Sequence, residues 1–376
     1  MSSPDSDTIL HRHAQLREAL KEENIDVLVI NPGPSLTYLT GLHFHLSERP
    51  VVFLFPVQGT PAIVLPELEA QKVKSTAFEI HSCTYGESLE SWGPAFLRAT
   101  EHVPLADLRV GVEPVHLRVL ELRFLEKAAP SATFVSGEQA VAKLRMQKDD
   151  AELDLMLRAT HIAEKALKKT LPLVREGVTE TEIAGQLIGH MLALGSGGEL
   201  PFQPIIAFGA NSANPHAVPG EYELMRGDLL LFDWGANYRG YFSDLTRMFS
   251  LGEPDGELRN ITDIVHRANT AGRKIAAPDI SAAQIDGATR SVIAEAGYGE
   301  YFVHRTGHGL GLEVHEAPFI RGDNPRLLKP GMTFTIEPGI YLNGRGGARI
   351  EDDMVITNDG ARSLSTFPRE LTLLGG

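Results

Sequence analysis

The stretch Leu229-Leu-Leu-Phe-Asp233-Trp-Gly-Ala-Asn-Tyr-Arg-Gly-Tyr-Phe-Ser-Asp244-Leu-Thr-Arg-Met-Phe249 constrains the fold more than any other part of the chain. Apolar runs flank a turn rich in Gly and Asn, so a β-hairpin sets Asp233 and Asp244 on facing strands. Both carboxylates interrupt sequence built for burial, and a carboxylate removed from water needs a partner. Arg239 or Arg247 could supply one as a plain ion pair; a metal ion is the other class of partner.

Further along, His304-Arg-Thr-Gly-His308-Gly-Leu-Gly-Leu-Glu-Val-His315-Glu-Ala-Pro318 carries three histidines, and Gly307, Gly309 and Gly311 let backbone approach a site closely. Met332-Thr-Phe-Thr-Ile-Glu337 ends an apolar strand on a glutamate, and Arg349-Ile-Glu351-Asp-Asp-Met-Val-Ile places another beside one. Asp233, Asp244, His308, Glu337 and Glu351 thus form a candidate ligand set. The four carboxylates bring a charge of about −4, which two divalent cations balance, and ligation mostly by oxygen suits Mn²⁺ or another hard-to-borderline ion. The only cysteine is Cys83, so a multi-Cys zinc site and an intramolecular disulfide are both excluded, and a small buried residue is expected there.

Charge and patterning narrow the partners. With 35 Lys+Arg against 49 Asp+Glu the chain carries −14, which disfavours nucleic acid and anionic membrane surfaces. No apolar run approaches the ~20 residues of a bilayer span, and the polar, acidic start lacks the pattern of a secretory signal. A soluble, cytoplasmic protein is expected. Residues 1–130 alternate amphipathic stretches (10–23, 113–127) with β-branched runs (27–30, 51–55, 62–65), which predicts an α/β domain. Small and polar residues over 131–147 predict a linker, and residues 148–376 a second domain. That domain opens on a helix over 149–171, and Thr179-Glu-Thr-Glu182 has capping-box spacing for the next. Strands over 205–249, helices over 261–276 and 283–296, and strands over 301–357 then repeat the plan.

With those segments in order, the chain resembles the pita-bread metallopeptidases, and among them aminopeptidase P and prolidase. The resemblance rests on Phe-Asp233-Trp-Gly, Ser-Asp244-Leu-Thr-Arg, Thr-Gly-His308-Gly-Leu-Gly, Val-His315-Glu, Thr-Ile-Glu337-Pro-Gly and Arg349-Ile-Glu351-Asp-Asp, and extends N-terminally through Tyr38-Leu-Thr-Gly41 and Ser47-Glu-Arg-Pro50. It implies an α+β fold: a pita-bread (creatinase/aminopeptidase-like) catalytic domain after a smaller N-terminal α/β domain, assembled as a homodimer. It also implies hydrolysis of the bond before proline in short peptides, with two divalent ions, Mn²⁺ first and Co²⁺ or Zn²⁺ as alternatives.

By the same resemblance Glu337 handles the proton of the attacking water while ligating metal, His216 and His315 act on the substrate, and His304 lies near it. Arg349 is either a substrate contact or a partner of a ligating carboxylate. His43 and His45 are expected at the surface, and Glu316, Asp352 and Asp353 facing solvent or neighbours. Prolidases of this type commonly carry an arginine just after His-Glu-x-Pro; here Phe319 stands there, with Arg321 beyond. The expectation is therefore an Xaa-Pro aminopeptidase, with a prolidase anchored by Arg321 or Arg345 as the alternative and an inactive binding protein as a third reading.

Overall fold

The computed structural model describes residues 6–375 and divides into two compact units, Met1–Arg145 and Met146–Gly376. In the first unit six short strands form one mixed sheet: β1 (Val27–Ile30), β2 (Val52–Pro56), β3 (Ala62–Pro66), β4 (His81–Tyr85), β5 (Arg109–Val112) and β6 (Thr133–Ser136), in the order β4-β3-β2-β1-β5-β6. Every side chain of β1, β2 and β3 is buried, as near-continuous apolar runs require when helices cover both faces. The core gathers Val29, Leu54 and Val64 against Phe96 and Leu125 from two of the helices. Cys83 is a free, buried thiol on β4. His43 and His45 are exposed in a loop, ring centroids 5.4 Å apart.

Two expectations for this unit need correction. Residues 131–147 do not form a linker: β6 pairs in parallel with β5, and the helix Glu138–Met146 follows. The small residues read as a linker are turn residues on either side of a short edge strand. The helix expected over 113–127 starts only at Val119, because Glu113 precedes Pro114 and the residue before proline avoids helical angles.

The second unit runs twice through the same sequence of elements. The helices Asp150–Thr170 and Glu180–Ala193 precede β7 (Ile205–Phe208), β8 (Leu229–Trp234), a small ribbon of β9 (Asn237–Tyr238) and β10 (Tyr241–Phe242), and β11 (Leu245–Leu251). The helices Gly256–Ile275 and Ala282–Glu295 then precede β12 (Gly307–Gly309), β13 (Glu316–Ile320), β14 (Thr333–Ile336), β15 (Gly339–Leu342), β16 (Gly346–Arg349), β17 (Asp352–Thr357), β18 (Gly360–Ser363) and β19 (Thr372–Leu374). One sheet has the order β19-β11-β8-β7 and the other β13-β12-β14-β17-β18.

Local chemistry sets these boundaries. Capping boxes Asp149/Glu152, Thr179/Glu182 and Ser281/Gln284 start three of the four helices. The fourth is capped by Asp255 and begins earlier than the apolar pattern suggests, because its first turn is polar. Between β9 and β10 the turn is Arg239-Gly240, both at positive φ, as a two-residue hairpin loop demands.

The second helix pair packs at close range. A methyl group on Gly272 would lie 2.3 Å from Thr289 Oγ1 and 3.2 Å from Ile336 Cγ2, whereas Gly185 on the first pair faces open space. Gly272→Ala should therefore destabilise by roughly 1–3 kcal/mol through overpacking, while Gly185→Ala should stabilise by about 0.5–1 kcal/mol through backbone entropy. Urea unfolding of the two variants should give midpoints that move in opposite directions from the parent.

Candidate metal centre

β8 and β11 pair antiparallel with Asp233 opposite Thr246, so Asp233 is the penultimate residue of one apolar strand while Asp244 sits immediately before the other. β14 leads into Glu337, and Glu351 falls between β16 and β17, joined to Thr246 by an isolated bridge. His308 is the middle residue of β12. These strand ends bring all five candidate ligands to the wall of one cavity of about 670 Å³, lined also by His216, His304, Arg305, His315, Arg321 and Arg349.

Ligand atoms of Asp244, His308 and Glu351 all lie within 4.8 Å of one another. His308 Nε2 is 3.2 Å from Glu337 Oε1 and 3.7 Å from Asp244 Oδ2. Its Nδ1 faces the carbonyl of Gly309 at 3.2 Å; a carbonyl only accepts, so Nδ1 carries a proton and Nε2 is the ring nitrogen that faces the acids. Each acid is steadied from behind. Arg349 Nη2 donates to Asp233 Oδ2 at 2.5 Å, Thr246 Oγ1 donates to Glu351 Oε2 at 2.7 Å, and the Asp244 amide donates to Asp353 Oδ2 at 3.1 Å.

Those contacts leave a specific remainder. Asp233 Oδ1, Asp244 Oδ1 and Glu351 Oε1 are buried without any hydrogen-bond partner. Burial, then the charges of Glu351 and Asp233, push the Asp244 carboxyl well above the usual range, and burial followed by Glu337 and Asp233 does the same to Glu351. Asp233 is raised by burial despite the opposing Arg349. Burial also acts against ionised Glu337, but His308, His304 and Arg349 outweigh it and hold the carboxyl at about 2. Buried, mutually repelling, unsatisfied oxygens aimed into one cavity fit divalent cations, and the donor set of carboxylates with one imidazole fits the same class of ion.

The remaining expected residues divide. His315 lines the cavity with its ring 4.2 Å from that of His308, centroid to centroid, and burial together with His308 and Arg305 lowers it to about 4. His216 stands in an Asx turn, its amide on Asn214 Oδ1 at 3.2 Å, with an imidazole that has no partner among the described residues. His304 is held instead: Nδ1 meets the Arg305 carbonyl and Nε2 the Tyr341 hydroxyl, each at 2.8 Å. Arg349 stands as a partner of a candidate ligand, since it grips Asp233 and donates to Tyr341 at 2.8 Å.

Arg247, offered as an ion pair for the hairpin aspartates, pairs with Asp352 at 2.7 Å, and Arg239 lies in the β9–β10 turn. Asp352 and Asp353 are fully buried, and Glu316 accepts from buried Lys148 at 2.6 Å, so all three face neighbours. The glycines around His308 serve strand packing: a methyl on Gly307 would sit 1.9 Å from the Thr335 carbonyl, and one on Gly309 2.2 Å from that of Ala317. Tyr341, Thr246 and Lys148 went unmarked in the sequence. Tyr341 lies in an ordinary strand pattern, and only its place opposite Gly347 and near His304 gives it meaning.

Comparison with known proteins places the chain in a class. The model of metallopeptidase family M24 matches residues 154–358, and the creatinase/prolidase N-terminal domain matches 12–147. The chain belongs to that metallopeptidase family, with the pita-bread fold and the smaller N-terminal domain that the resemblance implies. It is 36% identical over 379 residues to a Mycobacterium tuberculosis protein described as a probable dipeptidase PepE, covering 98% of both chains. The crystal structure of a Pyrococcus horikoshii OT3 dipeptidase superposes with a TM-score of 0.90 at 37% identity, covering 96% of this chain and 100% of that one. An Xaa-Pro dipeptidase from Bacillus anthracis gives 0.89 at 32% identity, with 97% and 100% covered. No helix among the described residues is long and apolar enough to cross a membrane.

If repulsion among these acids is what cations relieve, Asp244→Asn has opposite effects in two states. The metal-free variant should be more stable than the metal-free parent, on the order of 1–3 kcal/mol, because a buried unpaired charge is removed. The rise in Tm that divalent ions give the parent should be lost with it. Differential scanning calorimetry with and without added Mn²⁺ separates the two effects.

Proposed function

We propose that this chain is a metal-dependent dipeptidase that hydrolyses Xaa-Pro dipeptides. The carrying observation is the set of unsatisfied carboxylate oxygens of Asp233, Asp244 and Glu351 converging with His308 and Glu337 at one cavity. When bound there, two divalent ions lower the pKa of a water toward neutrality and polarise the scissile carbonyl. Asp233, Asp244, His308, Glu337 and Glu351 would hold them.

The chain's own residues supply the rest. Glu337, ionised even though buried, accepts the proton of the attacking water and can return it to the leaving nitrogen, which in an Xaa-Pro bond carries no hydrogen of its own. His315, lowered to about 4, is a neutral imidazole at pH 7, so it acts on the substrate by hydrogen bonding rather than by charge. His216, unpartnered in its loop among the described residues, lines the same cavity and is free to contact the substrate.

The expectation of an aminopeptidase rested on Phe319, and the relatives favour the shorter substrate. Chains at 36% and 37% identity over nearly the full length are described as dipeptidases. Xaa-Pro aminopeptidase activity stays as the second reading because of Phe319. The family resemblance supports Mn²⁺ as the first ion to test, before Co²⁺ and Zn²⁺, and a cytoplasmic homodimer as the working form.

With metal-loaded protein, Ala-Pro should be cleaved with higher kcat/KM than Ala-Pro-Ala when release of alanine is followed at one metal concentration. Preference for the tripeptide would restore the aminopeptidase reading. His216→Ala and His315→Ala should each lower kcat on the order of 10²–10⁴-fold while metal content stays near the parent's. Unchanged kinetics in both would return these histidines to structural roles.

A further inference from the structure

A dipeptidase must hold the free carboxylate at the end of its substrate, and Phe319 occupies the position after His-Glu-x-Pro where an arginine would do so. The carboxylate carbon of a dipeptide lies two bonds beyond the scissile nitrogen, about 2.5 Å away, so its partner must stand close to the reacting atoms. A cation far down the cavity cannot serve. Of the arginines named in advance, Arg345 does not line the cavity and pairs with Asp255 and Glu257. Arg321 does line it, but is more than half exposed and already pairs with Asp323 at 2.8 Å.

Arg305 has a different situation. It lines the same cavity as the candidate metal ligands and is half-buried between His304 and Thr306. The Thr306 amide donates to the Ile320 carbonyl at 3.0 Å, which lays this segment alongside β13. The guanidinium then rests over the ring of Phe319, 4.7 Å from its centroid. Among the described residues no carboxylate pairs with Arg305, whereas Arg349, Arg247 and Arg290 each have an aspartate. Burial pulls it below the usual arginine range, with Glu337 opposing, so the cation is desolvated and within electrostatic reach of the site.

The geometry points to Arg305 as the residue that binds the substrate's C-terminal carboxylate and so restricts cleavage to dipeptides, with Phe319 as the shelf that orients the guanidinium. This assignment rests on the dipeptidase reading. An aromatic at position 319 thus does not remove the anchor: the cation comes from the neighbouring segment, and stacking leaves its N–H fork free for two parallel hydrogen bonds to a carboxylate.

Charge-specific substrates test the assignment in the metal-loaded enzyme. Arg305→Met should lower kcat/KM for Ala-Pro roughly 10- to 100-fold, mainly through KM, and leave Ala-Pro amide within about twofold of the parent. Arg305→Lys should recover part of the loss on Ala-Pro. Inhibition by free proline should weaken by a similar factor in Arg305→Met while inhibition by prolinamide does not, a readout that needs no change in turnover. Equal losses on acid and amide would overturn the assignment and make Arg305 structural; a selective loss in Arg321→Met instead would move the anchor there. Faster cleavage of Ala-Pro-Ala than of Ala-Pro by the parent would overturn the dipeptidase reading, and the proline and prolinamide inhibition would still decide whether Arg305 binds a carboxylate.

Discussion

Electrostatic repulsion between carboxylates that the fold has removed from water governs the architecture of the catalytic unit. Asp233, Asp244 and Glu351 are each buried, and each retains one oxygen with no protein partner. An uncompensated buried charge costs several kcal/mol, so this arrangement is retained only where something else supplies the compensation. The neighbours stop one step short of doing so. Arg349 takes one oxygen of Asp233, Thr246 takes one of Glu351, and the opposite oxygens remain buried without a partner on residues that line the cavity. Full neutralisation by protein would have left nothing for a cation.

Thr246 is where the two sheets meet. Across β8 it faces Asp233, and through an isolated bridge it joins Glu351, whose amide donates to its carbonyl at 3.1 Å. Its hydroxyl accepts from Arg349 Nε at 3.3 Å while donating to Glu351. One small β-branched residue therefore fixes two candidate ligands that are more than a hundred positions apart in the chain. Behind it, Arg247 spends its donors on Asp352, the Phe367 carbonyl and the carbonyls of Thr246 and Glu351, locking the strand ends that present the acids. The buried pair Lys148–Glu316 performs the comparable service one residue from His315, tying the start of β13 to the first residues of the unit.

What the sequence discloses follows from how local each signal is. The capping box at Thr179 is written within a few consecutive residues and recurs in the structure as written, as does the helix opened by the acidic residues at 149–152. The candidate ligands stand out for a related reason: an aspartate inside Leu-Leu-Leu-Phe-Asp-Trp breaks a pattern that burial otherwise enforces. Residues 131–147 mislead because a four-residue strand at a sheet edge has too few apolar positions to stand out from a linker. Tyr341 and Lys148 could not be assigned from sequence at all, and sequence leaves Arg349 with two roles, since what each does depends on a partner brought to it by tertiary structure.

Arg305 and Phe319 carry that point from structure into specificity. Read along the chain, position 319 lacks the arginine that a dipeptidase of this type commonly has, and the absence argues for an open pocket end. Read across the sheet, the same phenylalanine lies beneath a guanidinium from the strand-like segment beside it. A charge required at one place in space can be delivered from either of two adjacent segments, because neighbouring strands lie only about 4.8 Å apart and an arginine side chain spans more than that. Recognition requires only that the group arrive. The loss of a motif residue is therefore weak grounds for the loss of its function whenever an unpaired residue of the same chemistry borders the same cavity.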